Sequence, residues 1–293
     1  MNKKRLKTIA ATAVAGCLLL TMSVTAFAAS GSGYESYKNA VESTILAQNA
    51  TVDAQFEVKD NGSVILSGNS NVKLDNENSS SKTTLTADGV TKTFATSKDE
   101  STGAFIRSVD DQYYVMQKDN EKQNADQKEN DKLTASSSTV KLAEMLADTL
   151  AGDVKNQFVK NGQTVSLNLE GSQIPELAKL AVSAAAENNG RIEKEHNGDS
   201  ADQASLKTLM DRIPKLSNTD VKSVSMTATV DGNLLKNNVA TVVITGTDAS
   251  GSTHELSIMI KGDISNVGNT KIDTIDTTGK NVTTISRNEH HED

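Results

Sequence analysis

Residues 51–62 read TVDAQFEVKDNG. Val52, Ala54, Phe56 and Val58 alternate with Asp53, Gln55 and Glu57. Successive side chains of an extended chain point to opposite faces, so a period of two predicts a strand with one apolar and one polar face. Asp60-Asn61-Gly62 then offers residues that tolerate positive φ, and Val64 to Leu74 returns with Val72 and Leu74 on one face. Asn-Gly between two such runs predicts a β-hairpin.

Outward from this hairpin the same pattern recurs. Thr83 to Thr86 leads to Asp88-Gly89, and Val90 to Thr96 follows. Phe105 to Val109 leads to Asp110-Asp111, answered by Tyr113 to Gln117. Much later, Val165, Leu167 and Leu169 alternate with Ser166 and Asn168. In the last third Val224, Met226, Ala228 and Val230 alternate before Asp231-Gly232, and Ala240 to Thr245 and Glu255 to Lys261 flank a turn. Val267 to Thr274 reads as a final strand. About ten antiparallel strands are expected, with one polar face.

Between these runs the period changes to that of a helix. Tyr34, Tyr37, Val41 and Ile45 predict a helix over Tyr34 to Gln48. Further stripes predict helices over Thr139 to Phe158, Pro175 to Glu187 and Ala201 to Ile213, with Pro175 tolerated in a first turn and Pro214 as a stop. Lys118 to Lys132 and Asn188 to Asp202 are almost wholly polar and read as solvated loops. Phe56, Phe94, Leu167, Leu209, Ile213, Val224, Met226 and Ile258 are the expected core.

The first 29 residues read as a secretory signal. Lys3, Lys4, Arg5 and Lys7 precede an apolar stretch from Ile9 to Met22, and Ala26-Phe27-Ala28 fits a cleavage site. Val14-Ala15-Gly16-Cys17 resembles a lipoprotein box; lipidation at Cys17 is the lesser expectation, because it would leave Leu18 to Val24 as an apolar N-terminus and make the Ala-Phe-Ala site redundant. The expected organisation is a signal at 1–29, one domain at 30–276 and a charged, flexible tail at 277–293. Without the signal the chain carries 26 basic against 38 acidic residues. A charge of about −12 argues against nucleic acid or an anionic membrane surface as partner. Cys17 is the only cysteine, so the mature chain forms no disulfide and no thiolate metal site. No other run is long and apolar enough to span a membrane.

Catalytic patterns are missing. No Gly-x-Ser-x-Gly elbow occurs, and His254-Glu255 lacks the second histidine a zincin needs, since Ile258 stands there. His196 sits in a polar stretch, and His290 and His291 sit in the acidic tail, where no fixed metal geometry is expected. His254 shares parity with Leu256, Ile258 and Ile260 and is expected to bond backbone at a strand end. Asp110-Asp111 reads as turn chemistry rather than as a glycosidase pair, and the chain has no Trp to serve as a sugar platform. No enzyme activity, cofactor or metal is expected.

Three segments, Thr51 to Val58, Gln112-Tyr-Tyr-Val-Met116 and Val221 to Asp231, with Lys271-Ile-Asp-Thr-Ile-Asp276 near the end, carry a resemblance. In this order of elements the chain resembles the lipoprotein-carrier superfamily, the LolA/LolB-like and LppX-like extracytoplasmic proteins, and most of all their Gram-positive relatives. The resemblance implies an α+β fold in which a strongly curved, incomplete antiparallel sheet wraps three or four helices. It also implies a lipid or acyl ligand between them. The lining would then be Val52, Phe56, Val224 and Met226 from the sheet, with Leu177, Leu180, Leu206 and Met210 from the helices. No counterpart of the carriers' lid-latching arginine is identifiable. The alternative expectation is a cell-envelope interaction or sensor protein whose partner is another envelope protein and whose core is filled.

Overall fold

The computed structural model describes residues 32–116, 154–176, 179 and 208–285. Helix α1 (Ser32–Leu46) comes first. Six strands follow: β1 (Asn49–Asp60), β2 (Ser63–Asp75), β3 (Asn78–Ala87), β4 (Val90–Asp99), β5 (Ala104–Val109) and β6 (Gln112–Met116). The later strands are β7 (Val159–Asn161), β8 (Thr164–Glu170), β9 (Ser217–Asp231), β10 (Leu234–Thr247), β11 (Thr253–Ser265) and β12 (Val282–Ile285). All twelve lie in one sheet, ordered β12-β6-β5-β4-β3-β2-β1-β11-β10-β9-β8-β7. The two chain halves therefore meet where β1 pairs with β11.

This corrects the expected fold class. The molecule is mostly β, an open sheet, and not a sheet wrapping three or four helices. Among the described residues, α1 is the one helix longer than a single turn. The strands also run further than their apolar alternation. β3 begins at Asn78, five residues before the predicted run. Its polar half is held by register with β2 and by hydroxyl pairs, Ser70 to Thr83 and Ser81 to Thr96, each at 2.8 Å. Most of the stripes at 139–158, 175–187 and 201–213 lies outside the described residues, as do the loops at 118–132 and 188–202. At their described ends the pattern is legible. Lys179 N–H donates to the Pro175 carbonyl, one helical turn back, and residues 208–210 are helical before Pro214.

Local chemistry explains the hairpins. Asn61 and Gly62 both hold positive φ, 48° and 85°, the backbone that joins two twisted strands in two residues. Asp88 and Gly89 repeat it at the next hairpin but one. Both ends of the sheet are blunted by short strands, three residues in β7 and four in β12, which limits edge-to-edge pairing.

The last strand arrives by an unusual route. Residues 267–274 do not form the predicted strand. They cross the outer face as a strap over a single register row, Thr51 of β1, Lys73 of β2, Ser80 of β3 and Ser97 of β4. Thr270 Oγ1 meets Thr51 Oγ1 at 2.9 Å, Asp273 N–H donates to Ser80 Oγ at 2.9 Å, and Ser97 Oγ donates to the Asp273 carbonyl at 2.9 Å. Lys73 Nζ binds the Asp273 carboxylate at 2.7 Å. These bonds satisfy the buried hydroxyls of Thr51, Ser80, Ser97 and Thr270. A strand reached across a face need not reverse direction, and β12 pairs parallel with β6, inside the stretch expected to be a flexible tail.

Candidate functional site

One face of the sheet is apolar across both halves. Register sets its rows. Leu66, Val58, Ile258, Val242, Val224 and Leu169 form one, across β2, β1, β11, β10, β9 and β8. Phe56, Ile260, Ala240, Met226 and Leu167 form the next. Two irregularities keep the face apolar where sequence parity would break it. Register slips beside Lys222, so Val221 faces inward, and beside Lys236, so Leu235 does as well; both are buried.

Two separate clusters pack on this face. The larger lies under α1, where Tyr34, Tyr37 and Val41 meet Phe158, Val165, Met226, Ala228, Leu235 and Ile264. Tyr34 stands edge-on to Phe158 with ring centres 5.5 Å apart. The smaller gathers Val58, Leu66, Leu85, Ala87 and Leu209, with Phe56, Phe94, Ile213 and Ile258 packed against it.

The expected lining divides accordingly. Val52, Met226 and Val224 belong to the first cluster, Phe56 to the second. Leu177, Leu180 and Leu206 lie outside the described residues. Met210 is 41% exposed while its neighbour Leu209 is buried at 1%, so that turn of helix presents Leu209, not Met210, to the sheet. Of the expected core, Leu167, Leu209 and Met226 are buried; Phe56, Phe94, Ile213, Val224 and Ile258 are half-buried.

Between the clusters the sheet floor is made of small residues. Ala54 of β1 pairs with Ser70 of β2 on one side and Gly262 of β11 on the other, and Gly262 pairs with Asn238 of β10. The two strand glycines here differ. A Cβ on Gly68 would stand 2.5 Å from the Phe56 ring and 2.6 Å from the Thr84 carbonyl oxygen, so Phe56 lies over Gly68 and fills its space. Among the described residues, a Cβ on Gly262 would meet nothing within 4 Å. The floor is therefore open above Gly262. Asn238 beside it is buried; its Nδ2 donates to Tyr37 Oη at 3.4 Å and its Oδ1 has no partner among the described residues. Neither residue stands out by periodicity or motif in the sequence. A lone glycine inside the run Ile258-Met-Ile-Lys-Gly262-Asp-Ile264 was the available signal, because glycine weakens a strand unless something uses the space.

His254 lies on the inner face at the far end of β11. Its ring meets carboxylates and not backbone, which corrects the expectation from the sequence. Nδ1 meets Asp60 Oδ2 at 2.8 Å and Nε2 meets Asp248 Oδ2 at 3.3 Å. Asp60 ends β1 and Asp248 opens the turn between β10 and β11, so the ring ties a strand end to a turn. The bond to Asp60 first, and that to Asp248 next, raise the His254 pKa above its ordinary 6.5. Asp248 is held down to about 2, chiefly by the Ser250 hydroxyl, then by the Ser252 N–H, with His254 adding to both. The stabilisation from charged His254 is fully present below pH 6.5 and is lost as pH rises through its higher folded pKa. The part that needs ionised Asp248 is lost as pH falls from 3.8 toward 2. His254→Gln should therefore lower the melting temperature by a few degrees at pH 5 to 6, and by progressively less above pH 6.5. A difference that stays constant from pH 5 to 9 would show that charge plays no part.

Asp110 is the turn residue that the sequence predicts. It holds φ at 49°, accepts from the Thr93 N–H at 3.0 Å and pairs with Lys92 at 2.8 Å. His196, His290 and His291 lie outside the described residues. No described helix is long and apolar enough to cross a membrane.

No family model and no curated protein matches the chain. Among solved structures, an N-terminal dehydratase from the difficidin assembly line aligns over 80% of this chain and 83% of its own, at 9% identity and a TM-score of 0.14. A putative thioesterase II from Thermobifida fusca YX aligns over 83% and 90%, at 11% identity and a TM-score of 0.12. Scores this low leave the chain similar to neither in fold, and neither likeness carries an argument about its function.

Proposed function

We propose that the protein is a non-enzymatic, extracytoplasmic binding protein that holds a lipid or another apolar ligand against the inner face of its sheet. One observation carries the reading. The apolar face is interrupted between two packed clusters by a floor of Ala54, Ser70 and Gly262, with open space above the glycine among the described residues. Recessed apolar surface with a few polar groups is the usual geometry of a small-molecule site. The reading keeps the ligand class implied by the resemblance to lipoprotein carriers and drops their helix-wrapping architecture. The signal at residues 1–29 supports the compartment. Both ring nitrogens of His254 are taken by carboxylates, which leaves that imidazole no free nitrogen to act as a base.

The test is a titration of delipidated protein with N-phenyl-1-naphthylamine, a neutral dye that brightens in apolar surroundings. Saturation at one dye per chain is expected, together with extractable apolar material in protein purified without delipidation. Fluorescence that rises without saturating would remove the ligand and leave the envelope-interaction alternative.

A further inference from the structure

We infer that the notch over Gly262 is the subsite for the head of an aliphatic ligand, and that this head is a neutral hydrogen-bond donor, a hydroxyl or a primary amide, received by Asn238 Oδ1. The inference rests on the apolar-ligand reading above and narrows it. Three features meet at this point of the sheet. Gly262 stands on a central strand between β1 and β10, where a larger apolar residue would ordinarily fill the core. Its φ is outside the left-handed region and no atom of the described residues lies within 4 Å of where a Cβ would stand, so neither backbone nor the described packing demands glycine there. Its register partner Asn238 is 93% buried, with the carboxamide oxygen unpaired.

A buried acceptor without a donor costs free energy, and residues directly opposite on paired strands stand about 5 Å apart. An O–H or N–H donor placed over Gly262 is therefore within reach of Oδ1 and would remove that cost. A carboxylate would not, because it brings only acceptors to an acceptor. The side chains nearest in register on this face, Val52, Ala54, Phe56, Ala240, Ile260 and Ile264, carry no charge to compensate an anion. They offer an aliphatic chain a continuous apolar track toward Phe56 and the second cluster.

Two linear polyene probes with the same chain test this, cis-parinaryl alcohol and cis-parinaric acid, titrated into the delipidated full chain at pH 8. The alcohol should bind at least about tenfold more tightly than the ionised acid. Asn238→Leu should bring the alcohol down to the acid's affinity. Gly262→Leu, which places a side chain in the notch, should remove saturable alcohol binding. Both variants should melt no lower than the parent, the first because an unpaired acceptor is gone, the second because the space is free. Equal affinities for the two probes in the parent, or alcohol binding unchanged in both variants, would overturn the subsite. So would a clearly lowered melting temperature in Gly262→Leu, since it would mean the notch is occupied by the protein itself. Where the naphthylamine dye still saturates in those cases, the general reading survives and only the subsite falls. Where neither dye nor polyene saturates, both fall.

Discussion

Gly68→Val should destabilise the protein by about 3 kcal/mol, the upper part of the range for overpacking a filled interior. The branched side chain begins at a Cβ only 2.5 Å from Phe56 Cε1 and 2.6 Å from the Thr84 carbonyl oxygen. The ring can turn away at the expense of its contacts with the second cluster. The carbonyl cannot, because it belongs to β3 in register with β2 at Gly68 and Leu85. Relief therefore requires the two strands to separate. Equilibrium urea unfolding measures the loss. The double variant Gly68→Ala with Phe56→Ala separates the two obstacles. Removing the ring should recover part of the cost of the Gly68→Ala change but not all of it, because the carbonyl remains. Full recovery would show that the ring alone dictates glycine at this position.

Tyr34→Ala should cost roughly 3 to 5 kcal/mol, as for other large aromatic truncations in a core. Tyr34 has no exposed surface, its ring stands against Phe158, and Lys155 Nζ lies 5.6 Å above its centre. It joins α1 to the segment that opens β7. Tyr37, Ala40 and Val41 bury the next turns of the helix in the same cluster, whereas Ile45 and Leu46 at its far end are exposed, so Tyr34 anchors the N-terminal turn. Gly33, one residue earlier, permits the approach; a Cβ there would sit 2.7 Å from the Phe158 carbonyl oxygen. A loss of this size is a large share of the 5 to 15 kcal/mol typical of a domain. The unfolding midpoint in urea should fall accordingly. An unchanged midpoint would mean that α1 is not part of the cooperative unit.

Phe56 shows how far local pattern reaches. Its parity with Val52, Ala54 and Val58 placed it on the apolar face, and that is where it lies. Nothing local indicated that its ring would cover Gly68, twelve residues away across a hairpin. Val221 and Leu235 make the opposite case. Their parity in the chain puts them on the polar face, and only irregular pairing between β9 and β10 turns them inward. Such irregularities are properties of two strands together, so neither strand's sequence displays them. The strap was invisible for a related reason. Thr270 and Asp273 look like ordinary polar residues until three outer-face hydroxyls and the Lys73 ammonium, from four strands, are set in one row beneath them.

The sequence by itself determined the elements whose causes are local. Period-two alternation, Asn-Gly and Asp-Gly turns and the stripe of Tyr34, Tyr37 and Val41 act over a few residues, where pleat, turn sterics and helix pitch decide the outcome. Tertiary structure alone decided the order of strands, the meeting of β1 with β11, and the proportion of strand to helix. It alone placed Asp60 and Asp248 on His254, and Asn238 beside the open side of Gly262. Those pairs join residues up to 194 positions apart. Apolar burial drives the halves together but is non-directional. Which strands become neighbours is set by all their pairings at once, and no single segment encodes that.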